Sequence, residues 1–192
     1  MTTRISGKHR SLIAGLAAGC ALLAVTAPAR AATATAELTG GSLAFVSTPP
    51  NVTFPKTTLN GLVQTLTAEQ KIDVGDATGS GSGWNVTATS TTFTTGSHNL
   101  STTATTIPSA PSVACDAGAT GCTLATTTGL VSYPYTLPAA ATAPTATRMF
   151  NAEKNTGMGD QTVTPTWSLA IAPSTYAGTY TSTWTLSLVS AP

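Results

Sequence analysis

Residues 180–188 read YTSTWTLSL, and from Trp184 onward a large apolar side chain alternates with threonine or serine. Because successive side chains of a β-strand point to opposite faces, Trp184, Leu186 and Leu188 are predicted to share a dry face, opposite a wet face of hydroxyl residues. The same alternation occurs in residues 84–89 (WNVTAT) and residues 164–171 (TPTWSLAI). All three tryptophans of the chain therefore lie on the apolar face of a predicted strand, and this two-faced pattern is typical of antiparallel sheets.

The remainder of residues 32–192 is rich in β-branched residues, glycine and proline, and no long stretch has helical periodicity. Further strands are predicted at residues 42–47, 61–67, 71–74, 124–127 and 148–151. Residues 134–144 (PYTLPAAATAP) are predicted to form an exposed loop. We therefore predict an all-β fold, a single antiparallel β-sandwich of immunoglobulin-like or similar design that spans residues 32–192.

Residues 1–31 have the organisation of a secretory signal peptide. Basic residues at Arg4, Lys8 and Arg10 precede an apolar run over residues 11–25, and small residues lead to a predicted cleavage after Ala31. Cys20 offers a lipoprotein signal as an alternative, but the apolar run continues beyond it. The run is shorter than the roughly 20 residues of a membrane span. We expect a secreted protein without a membrane span.

The chain is poor in charge, with 8% charged residues where about a quarter is usual. Loss of residues 1–31 would leave four bases against seven acids, so no basic surface is available for nucleic acid. His98 would be the single remaining histidine, in a polar loop without a nucleophilic serine motif. We therefore expect a surface histidine, no enzyme activity, no cofactor and no metal site.

Two cysteines, Cys115 and Cys122, remain after the predicted cleavage. An even number of cysteines in an exported chain is typical of a disulfide framework. The intervening residues include two glycines and are able to close a short loop. The pair is predicted to form a structural disulfide.

The run DATGSGSG at residues 76–83 places an acid and three glycines before Trp84. A phosphate-binding loop needs a helix after its glycines, whereas here a strand is predicted, so a tight turn is favoured. Asp76 is predicted to cap this turn by accepting bonds from its backbone amides. A calcium site that combines Asp76 with Asp73 is the alternative.

Two stretches resemble the signatures of the WxL-domain surface proteins of Gram-positive bacteria. In residues 76–86 the resemblance is carried by Asp76, Gly79, Gly81, Gly83, Trp84 and Val86, with valine where the family has leucine. In residues 176–186 (YAGTYTSTWTL) it is carried by Tyr180, Trp184 and Leu186. The cysteine pair and the alanine- and threonine-rich composition are similar to actinobacterial members of the family.

The resemblance implies a secreted, non-catalytic protein that binds non-covalently to the cell wall, through peptidoglycan, with other surface proteins as further partners to consider. Since the tryptophans are expected in the core rather than as exposed platforms for sugar rings, we expect the signatures to define the fold and the ligand surface to lie elsewhere. The alternative is a structural subunit of a surface layer or pilus-like fibre, assembled by strand exchange.

Overall fold

The computed structural model describes residues 30–127 and 129–190. The predicted signal peptide therefore lies outside the described residues, except for Arg30 and Ala31. Residues 30–37 are exposed and belong to no strand. Residues 38–190 contain every strand of the described chain, and no helix occurs in either described range. The all-β fold class is confirmed.

The strands of the described chain are numbered in order. They are β1 Leu43–Phe45, β2 Gln64–Glu69, β3 Ile72–Asp76, β4 Trp84–Thr91, β5 Thr94–Thr95, β6 His98–Asn99, β7 Thr105–Ile107, β8 Ser112–Cys115, β9 Tyr135–Thr136, β10 Ala139–Ala140, β11 Thr147–Ala152, β12 Gly159–Thr164, β13 Thr166–Ile171 and β14 Trp184–Ser190. The strands predicted at residues 42–47, 61–67, 71–74 and 148–151 correspond to β1, β2, β3 and β11.

The strands pair into three four-stranded sheets and one hairpin. The first sheet has the order β1-β3-β12-β8, and the third has the order β2-β13-β7-β9. In the second sheet β4 is central: β14 pairs along one side, while β11 and β10 share the other. All of these pairs are antiparallel except β10 with β4, and the arrangement is consistent with a β-sandwich. The β5–β6 hairpin forms a separate two-stranded sheet.

The core lies between the apolar faces of these sheets. Trp84 and Val86 of β4, Phe150 of β11 and Trp167 of β13 are completely buried. They belong to one cluster with residues of the first sheet, so a single core joins all three sheets. A smaller satellite cluster around Leu169 lies at the far end of β13.

Two predictions about local structure were wrong. Residues 124–127 form no strand, and only the neighbouring Thr123 makes an isolated bridge, to Met158. Residues 134–144 are not an exposed loop, because they contain β9 and β10, and Leu137 is 1% exposed. Short strands in that segment cover the end of β4, where Ser90 N donates to the carbonyl oxygen of Pro138 at 2.9 Å.

The wet face predicted for β4 is also wrong. Asn85 and Thr89 are buried although they point away from Trp84. The Thr89 hydroxyl donates to the carbonyl oxygen of Pro144 at 2.7 Å, so the segment before β11 covers this face. On β14 the prediction is correct: the side chains at alternate positions are exposed and partly buried in turn over its first six residues.

Candidate functional site

The glycine-rich turn over residues 76–83 is built as a ladder of bonds between residues two positions apart. Asp76 Oδ1 accepts from the backbone N–H of Thr78 at 3.0 Å and from its hydroxyl at 2.7 Å. The Ser80 N–H donates to the Thr78 hydroxyl at 3.3 Å, and the Ser82 N–H donates to the Ser80 hydroxyl at 3.2 Å. The prediction that Asp76 caps this turn is confirmed.

The glycines alternate with these polar residues because each adopts a left-handed backbone. Gly79, Gly81 and Gly83 have φ values of 64°, 62° and 77°, which residues with a Cβ rarely adopt. At Gly83 a Cβ would also lie 2.4 Å from the carbonyl oxygen of Ala152. The turn thus packs its last glycine tightly against the end of β11 and delivers the chain into β4.

The turn leads directly to Trp84, whose side chain is inaccessible to ligands. Its indole N–H donates to the carbonyl oxygen of Gly157, in the loop after β11, at 2.9 Å. Its ring lies 5.6 Å from the ring of Phe150. Val86 follows on the same face and is also fully buried. The first signature therefore fixes the core and offers no exposed aromatic ring.

The second signature forms the neighbouring strand of the same sheet. β14 pairs with β4 over seven residues, with Leu188 opposite Val86, Leu186 opposite Ala88 and Trp184 opposite Ser90. Trp184 is only partly buried, and its ring lies 4.7 Å from that of Trp167. The structure thus brings the two signatures together as one pair of strands, although Trp84 and Trp184 stand near opposite ends of it.

A surface groove of about 470 Å³ lies beside the turn that precedes β14. One wall is the β5–β6 hairpin, which carries His98, and the other is the 172–180 segment with Tyr176 and Tyr180. The two walls are held together by the paired backbones of Thr94 and Thr181. Of the residues predicted from the signatures, Tyr180 alone lines this groove.

An aromatic stack forms the most exposed part of the groove. The rings of His98 and Tyr176 are nearly parallel, 11° apart, with centroids separated by 3.8 Å. Tyr176 is 62% exposed, although tyrosines are usually more buried. The Tyr180 hydroxyl donates to the backbone carbonyl of Tyr176 at 3.1 Å. This bond holds the backbone that carries the exposed ring against the residues that lead into β14.

The rest of the groove combines an apolar floor with neutral polar groups. Leu100 and Ile171 are buried in the smaller core cluster beneath it. The side-chain amide of Asn99 and the hydroxyl groups of Ser101 and other serine and threonine residues supply donors and acceptors along its walls. Among residues 30–127 and 129–190, no aspartate, glutamate, lysine or arginine lines the groove. This combination suits an uncharged ligand with an apolar face and many hydroxyl groups.

Sequence reasoning missed the contact between His98 and Tyr176. His98 was predicted to be a surface histidine, and it is a surface residue, but its stacking on Tyr176 depends on a contact between segments almost 80 positions apart. The signal in the sequence was Tyr176 itself, an aromatic residue that lies between Pro173 and Gly178 and outside any strand. Gly178 packs this segment against the hairpin, since a Cβ there would lie 2.7 Å from the Thr95 hydroxyl.

The predicted disulfide is confirmed. Cys115 and Cys122 are bonded, with their Cα atoms 5.9 Å apart. The bridge closes the loop that follows β8, and the Asp116 N–H donates to the carbonyl oxygen of Asp160 at 3.1 Å. It therefore fastens one border of the first sheet, on β8, and neither cysteine lines the groove.

Asp73 and Asp76 do not share a site. They stand three positions apart on β3, so their side chains leave opposite faces of the strand. Asp76 is committed to the turn, whereas Asp73 faces Asp116, whose carboxylate accepts from the Thr162 hydroxyl at 2.6 Å. Partial burial and the nearby Asp116 raise the pKa of Asp73 above its usual range. The described residues contain no group of three or more histidine, cysteine or acidic side chains able to hold a metal ion.

Within residues 30–127 and 129–190 no helix has the length and apolar character required to cross a membrane. Comparisons of the chain with protein-family models, curated proteins and solved structures return no match.

Proposed function

We propose that this chain is a secreted, non-catalytic surface protein that binds the Gram-positive cell wall non-covalently, with peptidoglycan as its ligand. The observation that carries the proposal is the uncharged groove with the exposed stack of Tyr176 on His98. Support also comes from the leader-like residues 1–31 and from the resemblance to the WxL signatures. In this proposal β4 and β14 supply the framework, and the groove beside the segment that precedes β14 supplies the contact surface.

The chemistry of the groove matches a glycan strand. Sugar rings present an apolar face of C–H groups that packs on aromatic rings, and their hydroxyl and acetamido groups bond to neutral side chains. The exposed ring of Tyr176 provides the first kind of contact, and Asn99 and the serine and threonine hydroxyls provide the second. Because no charged side chain of the described part of the chain lines the groove, binding is expected to persist when salt is raised.

A catalytic function has less support from the same groove. His98 is the single histidine of the described chain, and no carboxylate or lysine lines the groove to act with it. Its observed contact is a stacked ring rather than a hydrogen bond to a nucleophile. We assign His98 the role of supporting the Tyr176 ring.

Sedimentation of residues 32–192 with purified peptidoglycan sacculi tests the proposal. We expect the wild type to be retained in the pellet and Tyr176→Ala to bind about tenfold more weakly, equivalent to about 1.4 kcal/mol. Leu130→Ala is the matched control, since Leu130 is 51% exposed and lies outside the groove. Retention no higher than that of a charge-matched protein, or equal retention of the Tyr176 variant, would overturn the proposal.

The variant His98→Phe separates binding from catalysis. Phenylalanine preserves a flat partner for the Tyr176 ring but removes the ionisable nitrogens that proton transfer requires. We expect pellet retention within about twofold of the wild type. A loss of retention as large as that of Tyr176→Ala would contradict the stacking role of His98.

A further inference from the structure

A second cavity lies beside the β5–β6 hairpin. Its volume is about 500 Å³, close to that of the groove and within the range of roughly 300–1,000 Å³ that is usual for small-molecule sites. The cavity is lined by Thr91, Thr92, Thr94, Asn99, Leu100, Thr102 and Ala141. Five of these seven residues lie outside the groove, so the cavity is a separate feature of the surface.

The second cavity is rich in hydroxyl groups. Four of its lining residues are threonines, and Asn99 adds a side-chain amide that both donates and accepts hydrogen bonds. Thr94, Asn99 and Thr102 are exposed, so a ligand is able to reach them. Within the part of the chain that the structure describes, neither a charged nor an aromatic side chain lines this cavity. Its chemistry therefore suits the hydroxyl and acetamido groups of an uncharged sugar.

Backbone hydrogen bonds fix the walls of the second cavity. The Thr92 N–H donates to the carbonyl oxygen of Ala140 at 2.9 Å, which joins the end of β4 to β10. The Leu100 N–H donates to the carbonyl oxygen of Phe93 at 2.9 Å, which closes the base of the hairpin. A cavity whose walls are already ordered binds a ligand at a smaller entropic cost.

The hairpin separates the second cavity from the groove. In its register Thr95 lies opposite His98, and Thr94 lies opposite Asn99. Opposed residues of an antiparallel pair share a face, whereas neighbours along a strand point to opposite faces. His98, which stacks on Tyr176 in the groove, is therefore on one face of the hairpin. Thr94, which lines the second cavity, is on the other.

The two cavities meet along the segment that follows β6. Asn99 and Leu100 line both of them. Ser101 then lines the groove, and the next residue, Thr102, lines the second cavity. Asn99, Ser101 and Thr102 are all exposed. The cavities are thus divided by a single segment of chain, and an extended ligand that passes over this segment contacts both.

We propose that the second cavity is a second sugar-binding site for the same glycan strand. One sugar of the strand stacks on Tyr176 in the groove, the strand crosses the hairpin at Asn99, and a further sugar bonds to the threonines of the second cavity. This inference rests on the proposed function and narrows its ligand to a strand of several sugars. Occupation of two linked sites by one molecule raises affinity without a second loss of translational freedom.

Isothermal titration calorimetry with peptide-free glycan fragments released from sacculi tests the proposal. Residues 32–192 are titrated with the disaccharide and with the octasaccharide. Affinities are compared per disaccharide unit, because a longer strand offers more registers to a single site. We expect the octasaccharide to bind about tenfold more tightly or better on this basis.

A double variant tests the second cavity directly. Thr94→Val combined with Thr102→Val removes two hydroxyl groups and keeps the branched shape of both side chains. We expect octasaccharide affinity to fall by about tenfold and disaccharide affinity to stay within about twofold of the wild type. Thr65→Val combined with Thr67→Val is the matched control, since both residues are exposed on β2 and line neither cavity. Its affinities should equal those of the wild type.

The outcomes distinguish this inference from the proposed function. Equal affinity of the two fragments per disaccharide unit would overturn the second site, and this comparison needs no variant. Octasaccharide binding that Tyr176→Ala weakens but Thr94→Val with Thr102→Val leaves unchanged would also overturn the second site, while wall binding would stand. Absence of binding by either fragment, together with absence of retention on sacculi, would overturn both.

Discussion

Replacing Trp84 by phenylalanine separates a structural role of the first signature from a ligand-binding role. The indole is completely buried and donates to the carbonyl oxygen of Gly157 at 2.9 Å. Phenylalanine removes the donor from a buried carbonyl, at a cost of about 1–3 kcal/mol. The smaller ring also leaves unfilled space beside Phe150, which adds about 1 kcal/mol. We expect Trp84→Phe to lower the free energy of unfolding by about 2–4 kcal/mol.

Such a loss is a large share of the roughly 5–15 kcal/mol by which domains are stable. It corresponds to a decrease in Tm of roughly 5–15 °C for a domain of this size. Urea unfolding followed by circular dichroism provides the measurement, and the same substitution at Trp184 is the control. Because the Trp184 ring is partly exposed, its loss should cost less than that of Trp84.

The wall-binding readout completes this test. At a temperature where Trp84→Phe is still folded, its retention on peptidoglycan sacculi should equal that of the wild type. The reasoning is refuted if the variant keeps its stability within about 1 kcal/mol and loses retention, since Trp84 would then contact ligand. The opposite pattern is expected for Tyr176→Ala, which should lose retention and keep its stability because its ring is largely exposed.

Three further changes have expected outcomes. Gly83→Ala should destabilise the fold by about 2 kcal/mol or more in urea unfolding, since φ is 77° and the new Cβ would lie 2.4 Å from the carbonyl oxygen of Ala152; an unchanged midpoint would contradict this. Removing the Cys115–Cys122 bond by replacing both residues with serine should cost about 2–3 kcal/mol from loop entropy alone and leave wall retention intact. Asp73→Asn should stabilise the protein at neutral pH, because burial and a neighbouring aspartate raise the carboxyl pKa and so disfavour its charged form in the folded state. That gain should shrink as the pH falls below the raised pKa and vanish below the unfolded value of 3.8, and a pH-independent gain in denaturation titrations would refute the assignment.

The elements that were predictable from the sequence are those whose signal is local. Period-two alternation located β13 and β14, and the DATGSGSG run predicted both the turn and its Asp76 cap. The disulfide followed from the count of cysteines. In each case the physical cause lies within about ten residues of chain, where sequence spacing is a direct guide to geometry.

The elements that sequence reasoning missed depend on contacts between distant segments. The Thr-rich face of β4 is dry because the segment around Pro144 covers it, and no pattern within β4 records that neighbour. The groove escaped prediction for the same reason: the stack of His98 and Tyr176 joins two short segments that lack any motif of their own. Burial of strand residues was therefore predicted correctly on β14, at the sheet border, and incorrectly on β4, at its centre.

The pairing of β14 with β4 also has a consequence for the order of events during folding. A bond such as that from the Thr87 hydroxyl to the carbonyl oxygen of Ser187 spans 100 residues, so the second sheet stays incomplete until the final strand is available. Because a chain is synthesised from its N-terminus, Thr87 emerges 100 residues before its partner Ser187, and one edge of β4 stays unpaired over that interval. Closure of the second sheet therefore depends on a non-local strand pair, and folding dominated by such pairs is slow.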